Sequence, residues 1–312
     1  MDGDAPPPIF VPSYHRPDNC KTVHYLRKLG YDMSLVHVVI DDAAGDEAEY
    51  RAMCEAAGAS LHVVDYEDAV RRFDFVHRKN PARRAAGMFR NRFFPIADGL
   101  GIDFFVVVDD DTNAYHLKYP QTRQRKVTLE QFSWWLCEVR AFMRRHRIGA
   151  FGLSQSGDNL IGCHPEYWFL HKVMNTTFYD ARLVRAPERG VQDNDTSAFV
   201  GYHNAGLFTG SLGYGLMLHQ TPSATAKGGL TDVYRESKLL NKSLVCPIQF
   251  PSAIHADKQP LNGGRIHHKI AYRYLAPRVL KRPGAAGNVA WDAYPEDVPF
   301  TNEPKREGYS LP

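Results

Sequence analysis

Phe104-Phe105-Val106-Val107-Val108-Asp109-Asp110-Asp111 runs five apolar residues straight into three acids. An unbroken apolar run of this length predicts a strand buried on both faces, as in the centre of a parallel sheet. In open α/β sheets ligands bind outside the carboxyl ends of the strands, so the acids stand where a site belongs. If the chain stays extended past Val108, Asp109 and Asp111 point to the same side. Two carboxylates so placed repel unless a cation lies between them, and a hard divalent ion with oxygen ligands is the usual answer. Mg²⁺ or Mn²⁺ is favoured over zinc, because no Cys/His cluster accompanies the acids. The plainer alternative is a loop of turn-forming acids capping a short helix.

On the N-terminal side, strand-like and helix-like segments alternate. Ile9 to Pro12 is a short strand that enters the polar turn Ser13 to Asn19, followed by a helical pattern (Val23, Leu26, Leu29) that stops at Gly30. Ser34 to Ile40 predicts a second strand, closed by Asp41-Asp42. A helix from about Asp46 (Tyr50, Met53, Cys54, Ala57) ends at Gly58, and Ser60 to Val64 is a third strand. Met88, Phe89, Phe93 and Ile96 read as one helix ending near Gly99. On the C-terminal side, Thr128 and Gln131 form a capping box for a helix with the stripe Leu129, Phe132, Leu136, Val139 and Met143. Arg144, Arg145 and Arg147 suit its last turn. Repeated strand–helix units predict an α/β fold with a mostly parallel, doubly wound sheet. Further on, strand-like runs are short (Phe151 to Leu153, Tyr214 to Leu218), and the small, polar stretch from Thr221 is a candidate lid, taken as far as Asp232.

Composition bounds the rest. The chain has 312 residues, 44% hydrophobic and 23% charged, which excludes a disordered or fibrous protein. No apolar run approaches the ~20 residues needed to cross a bilayer, so no membrane association is expected. The first residues lack a basic and an apolar signal region, and the five cysteines are odd in number with no zinc-like spacing. Reduced thiols in a soluble, cytoplasmic protein are the expectation. Net charge is only +3, but two basic stretches carry no acid: residues 77–92, with Arg83 and Arg84, and 258–291, with Arg278, Lys281 and Arg282. Such runs are usually solvated faces; here they also suit a polyanion.

Several of these elements, in this order, resemble the GT-A glycosyltransferases over about residues 8–220. Val11-Pro12-Ser13-Tyr14-His15-Arg16 is similar to the opening strand and turn that embrace the nucleotide, and Val38 to Asp42 to the strand whose terminal acid meets the donor base. Ala86-Gly87-Met88-Phe89-Arg90-Asn91-Arg92 looks like the family's A-R-N-x-G helix start, and Val107 to Asp111 supplies its D-x-D element. Val191-Gln192-Asp193-Asn194-Asp195 is similar to its E-D-x-D element, with Gln192 in place of the usual Glu. Finer wording, including Pro12-Ser13-Tyr14-x-Arg16-Pro17-Asp18 and Arg265-Ile266-His267-His268, resembles the phage-encoded TET/JBP-associated group, which glycosylates hydroxymethylated pyrimidines in DNA.

The resemblance implies a single GT-A domain over 1–282, with a nucleotide-sugar half (about 1–112), a smaller acceptor-side half (113–282) and a Pro/Gly-rich tail (283–312). It implies a metal-dependent transferase moving a sugar from a UDP-sugar, UDP-glucose first among them, to a hydroxymethylated pyrimidine in phage DNA. Asp109, Asp111 and His219 would hold Mn²⁺ or Mg²⁺, with His267 and His268, then His255, as alternatives to His219. Pro12, Ser13, Tyr14, Arg16, Asp41, Asp42, Arg90 and Asp110 would bind the donor. Asp193 would be the general base of an inverting reaction, unless it is only an acid at a helix N-terminus. Arg83, Arg84, Arg278, Lys281 and Arg282 would contact the DNA, since phosphate neutralisation supplies most non-specific affinity. The rivals are a polysaccharide or protein acceptor, a metal-dependent nucleotidyltransferase or nuclease, and an inactive DNA- or sugar-binding module.

Overall fold

The computed structural model describes residues 5–73, 86–119, 123–155, 167–169, 173, 175–184, 189–190, 193–205, 207–213, 215–220, 240–258 and 266–271. Arg83, Arg84, Arg278, Lys281, Arg282, the candidate lid from Thr221 to Asp232 and the tail from 283 lie outside them.

The strands are β1 (Ile9–Pro12), β2 (Val36–Asp41), β3 (Ser60–Val64), β4 (Phe104–Val108), β5 (Thr112–Lys118), β6 (Arg125–Lys126) and β7 (Ile148–Gly152). They continue with β8 (Ser154–Gln155), β9 (Tyr167–Phe169), β10 (Thr176–Asp180), β11 (Phe208–Leu212), β12 (Gly215–Gln220), β13 (Ile254–Lys258) and β14 (Ile266–Ile270). The central sheet has the order β3-β2-β1-β4-β10-β7-β11-β9. Its first four strands are parallel, β10 runs antiparallel to both β4 and β7, β11 is parallel to β7, and β9 is antiparallel to β11. This is the mostly parallel α/β sheet expected. β4 is fully buried along its length, yet it is parallel on one side only. The apolar run reports burial on two faces, which either direction of pairing allows.

Alternation along the strands divides the core. Ile9, Val11, Val38, Ile40, Val106 and Val108 face a layer containing α1 (Lys21–Leu29), α2 (Glu47–Ala57) and, beyond the acids, α6 (Leu129–His146). Phe10, Val39, Phe105 and Val107 face the opposite layer of α3 (Tyr66–Arg72), α4 (Ala86–Arg90), α5 (Phe93–Gly99) and α7 (Asn194–Asn204). Successive side chains on opposite faces therefore seal both sides, which is what doubly wound means in physical terms. A second sheet, β6-β5-β12-β8, stands beyond the acids, and β13–β14 form a hairpin that follows α8 (Leu240–Gln249).

Local chemistry explains the departures from the predicted elements. The second strand begins at Val36, because Asp32 accepts the Ser34 N–H at 3.0 Å and winds Met33–Leu35 into a 3-10 turn. The helix predicted through Met88 and Ile96 is two helices, α4 and α5. Pro95 lacks an N–H, and in a continuous helix its ring would clash with the carbonyl four residues back. The capping box of α6 is present, with Gln131 N–H donating to Thr128 Oγ1 at 3.3 Å and Thr128 N–H to Gln131 Oε1 at 3.1 Å. Leu129 belongs to the exposed first turn of α6 and not to its buried stripe. Cys20, Cys54, Cys137 and Cys246 form no disulfide. Among the described residues no helix is long and apolar enough to cross a membrane.

Candidate active site

The strand ends at Val108 and the chain turns at once: Thr112 N–H bonds back to Asp109 O at 3.4 Å. The extended-chain condition for placing Asp109 and Asp111 on one side is therefore not met, and a tight turn groups the three acids instead. The start of α1 is stitched to this turn. Thr22 N–H donates to Asp110 O at 3.2 Å, Thr22 Oγ1 donates to Asp109 O, and it accepts the Thr112 N–H at 3.2 Å.

Asp110 is the buried member of the three. Ser13 Oγ donates to its Oδ2 at 2.7 Å and Arg16 Nη1 to its Oδ1 at 2.6 Å. Because the single Ser13 proton goes to Asp110, the 2.7 Å contact between Ser13 Oγ and Tyr50 OH must be donated by the tyrosine. Tyr50 OH in turn accepts the Arg16 N–H at 2.9 Å. The result is a directed chain from Arg16 N–H through Tyr50 and Ser13 to Asp110. Burial pushes the Asp110 carboxyl up to about 6; Arg16 and Ser13 oppose that, and the neighbouring Asp111 and Asp109 charges add to it. Asp109 is ion-paired with Arg90 Nη2 from α4, and Asp111 is half-buried. Three carboxylates thus meet two guanidinium groups.

The first loop and the second strand end converge here, since Ser13 N–H bonds to Val39 O at 3.0 Å and Pro12 pairs with Val39. Tyr14 is half-buried and packs on His15, with ring centroids 3.9 Å apart. Asp41 is buried at the end of β2. Asp42 is exposed, and its Oδ1 accepts the Tyr66 N–H at 2.9 Å, which ties it to the start of α3.

Asp193 occupies the N-cap position of α7 in the left-handed region (φ 55, ψ 38), and its carbonyl accepts the Thr196 and Ser197 N–H groups at 3.0 and 3.1 Å. Its carboxylate makes no cap bond, and its place at the helix N-terminus is also that of an acid facing the helix dipole. The carboxylate lies close to His268, with Nδ1 3.2 Å from Asp193 Oδ2 but outside hydrogen-bond geometry. Asp195, two residues on, lines a small cavity with Arg90, Thr177, Tyr179, Tyr202 and Thr209. Arg90 therefore joins the acidic turn to the first turn of α7.

Among the described residues no three His, Cys, Asp or Glu side chains form a ready metal cluster. The chemistry of the acidic turn nonetheless suits a hard divalent cation: oxygen donors only, an excess of carboxylates over guanidinium groups, and partial solvent access at Asp109. The His219 side chain lies outside the described set. Its backbone lies within β12 and not at the strand's close, opposite Ala114, with Gln220 opposite Thr112 across a bulge. Residue 219 is therefore on the strand alongside the first residues after the acids. The alternatives are placed elsewhere, His255 exposed on the hairpin and His268 against Asp193.

Residues 7–209 match the family model described as TET-Associated Glycosyltransferase. The chain belongs to the TET-associated glycosyltransferase family. The match runs from β1 through the acidic turn and α7 to the start of β11, and membership makes the protein a glycosyltransferase. No curated protein matches the chain. Solved structures similar to it include a mycobacterial protein, at 12% identity over 88% of this chain and 89% of that one, with a TM-score of 0.46. Glucosyl-3-phosphoglycerate synthase from Mycobacterium tuberculosis, in complex with Mn²⁺, UDP and phosphoglyceric acid, is similar at 11% identity over 85% and 87%, with a TM-score of 0.44. A putative nucleotide-diphospho-sugar transferase from Desulfovibrio desulfuricans G20 follows at 10% identity over 77% and 96%, with a TM-score of 0.37.

Two members of the site escaped the sequence reading. Tyr50 counted only as an apolar helix position, although a tyrosine on a buried stripe carries a hydroxyl that needs a partner. Thr22 was passed over in a helix whose apolar pattern begins at Val23.

Proposed function

We propose that this family member transfers a sugar from a UDP-sugar, UDP-glucose first among them, to a hydroxymethylated pyrimidine in DNA, with inversion and with Mn²⁺ or Mg²⁺. The observation that carries the reading is the acidic turn at the carboxyl end of β4, braced by Ser13 and Arg16 from the first loop and by Arg90 from α4. Asp109 and Asp111 would hold the ion, with residue 219 as the third ligand; when bound, the ion offsets the charge developing on the leaving diphosphate. Arg16 and Ser13 keep Asp110 in place, and with Pro12, Tyr14 and Asp41 they form the wall facing the donor nucleotide. Asp193 takes the proton from the attacking hydroxyl as its oxygen bonds to the anomeric carbon and the bond to UDP breaks. A base of this kind contributes typically 10²–10⁴-fold. The acid-free basic stretches around 78–92 and 258–282 support a DNA acceptor, and a cytoplasmic location goes with it.

Calorimetry of UDP with Mn²⁺ tests the donor site. Asp111→Ala should abolish metal-dependent UDP binding while leaving the melting curve intact, and EDTA-insensitive UDP binding that the variant retains would refute it. Salt titration of duplex binding tests the acceptor. Neutralising Arg278, Lys281 and Arg282 should flatten the salt slope by about one unit for each phosphate that the protein no longer neutralises.

A further inference from the structure

We propose that His268 is the positioning residue for Asp193, which brings the β13–β14 hairpin into the active site; the inference rests on reading Asp193 as the base. The hairpin is locked to α7 by an apolar cluster in which Phe199, Val200, Cys246, Ala253 and Ile254 are buried and Ile270 packs alongside. Polar bonds fix it further. Ser243 Oγ donates to Ile266 O at 2.6 Å, and Cys246 Sγ donates to the carbonyl of Asp193 itself at 3.5 Å. His268 therefore reaches Asp193 from a rigid frame. The two side chains are each only 5% exposed.

A carboxylate so enclosed needs a polar or charged counter-group. His268 Nδ1 lies 3.2 Å from Oδ2, a close contact outside hydrogen-bond geometry that a small rotation of either side chain would turn into a bond. The far side of the ring is anchored as well: Nε2 lies 3.1 Å from Thr196 Oγ1, and Thr196 is fully buried on the first turn of α7. Where the threonine hydroxyl donates to Nε2, the one proton of a neutral ring is left on Nδ1, the nitrogen nearer the carboxylate. Which ring nitrogen carries the proton is set by the bond the other one makes. Asp193 also adopts a left-handed backbone conformation, which is unfavourable for a non-glycine residue and is kept where the surroundings enforce it. His268 lies beyond residues 7–209, the stretch that matches the family, so the orientation of the base is supplied by a segment outside it.

The test measures UDP release from UDP-glucose with Mn²⁺ and hydroxymethylcytosine DNA. His268→Ala should lower kcat on the order of 10–100-fold, the range for removing an orienting partner, with the KM for UDP-glucose unchanged. His268→Asn, whose amide N–H can stand in for Nδ1–H, should recover most of that loss. The double variant Asp193→Asn/His268→Ala should be no slower than Asp193→Asn alone, because His268 acts through Asp193. An inactive Asp193→Asn beside a fully active His268→Ala overturns the role of His268 and leaves the base standing. Full turnover by Asp193→Asn overturns both. Nitrogen-15 NMR of the imidazoles decides the pairing without substrate. His268 should hold its proton on Nδ1 and respond to Asp193→Asn; a ring that averages both tautomers and ignores that substitution overturns the proposal.

Discussion

Replacing Tyr50 by Phe removes a single oxygen from a fully buried side chain and leaves the packing of α2 on the sheet unchanged. Two hydrogen bonds disappear, the tyrosine O–H to Ser13 Oγ at 2.7 Å and the Arg16 N–H to the tyrosine oxygen at 2.9 Å. Each is worth about 1 kcal/mol net, and a donor left unpaired in the interior costs about 1–3 kcal/mol. Arg16 is half-buried, so water can replace part of this bonding, and the total comes to about 1–2 kcal/mol. The melting temperature should fall by roughly 2–6 °C. Burial raises the Tyr50 hydroxyl well above its ordinary pKa, so it stays protonated and the effect should be flat from pH 6 to 9. The functional consequence exceeds the structural one, because Ser13 and Arg16 hold Asp110 and form the proposed donor wall. Calorimetric UDP affinity with Mn²⁺ should drop together with stability. Arg51→Ala on the same helix is the control: its pairing with Glu47 is exposed and is worth at most about 0.5 kcal/mol. A Tyr50→Phe protein that melts with the wild type and binds UDP equally well would refute the directed chain from Arg16 to Asp110.

Two further outcomes follow from particular residues. Burial lowers the His203 imidazole from 6.5 to about 4, so the unfolded chain binds a proton between those values that the folded one does not. Its contribution to stability is complete above pH 6.5 and is lost as pH falls towards 4, by about 3 kcal/mol; denaturant titrations of His203→Gln should show a correspondingly shallower acid loss, and parallel curves would contradict this. Asp42→Ala removes the acceptor for the Tyr66 N–H and should cost about 1 kcal/mol of stability with UDP affinity unchanged. A selective loss of UDP binding would show that Asp42 contacts the donor in addition to holding α3.

The fold was legible where a single force dominates. Burial of β1, β2 and β4 on both faces, and the glycines that end α1 and α2 in the left-handed region, follow from pattern and backbone sterics alone. The direction of β10 beside β4 was not legible, because a strand buried on both faces has the same composition in either pairing. The single helix read through Met88 and Ile96 failed at Pro95, where a local steric clash overrides an apolar period that continues across it. At the site, the three acids announced themselves by following a buried strand, whereas Asp193 stood out only through the resemblance of Val191 to Asp195 to the E-D-x-D element. His268 lies 75 positions further along and meets Asp193 only because α8 and the hairpin fold back over α7. No local pattern encodes that approach, and the same holds for the Tyr50 hydroxyl beneath the first loop.

The most direct measurement of the central claim is sugar transfer itself. Purified protein is incubated with UDP-glucose, Mn²⁺ and duplex DNA containing hydroxymethylcytosine or hydroxymethyluracil, and both UDP release and sugar-bearing nucleosides are quantified. The expected result is UDP release matched one for one by glycosylated base, abolished by EDTA and by Asp111→Ala, and cut on the order of 10²-fold or more by Asp193→Asn. UDP release without sugar on the DNA, or transfer unaffected by EDTA and by both substitutions, would contradict it.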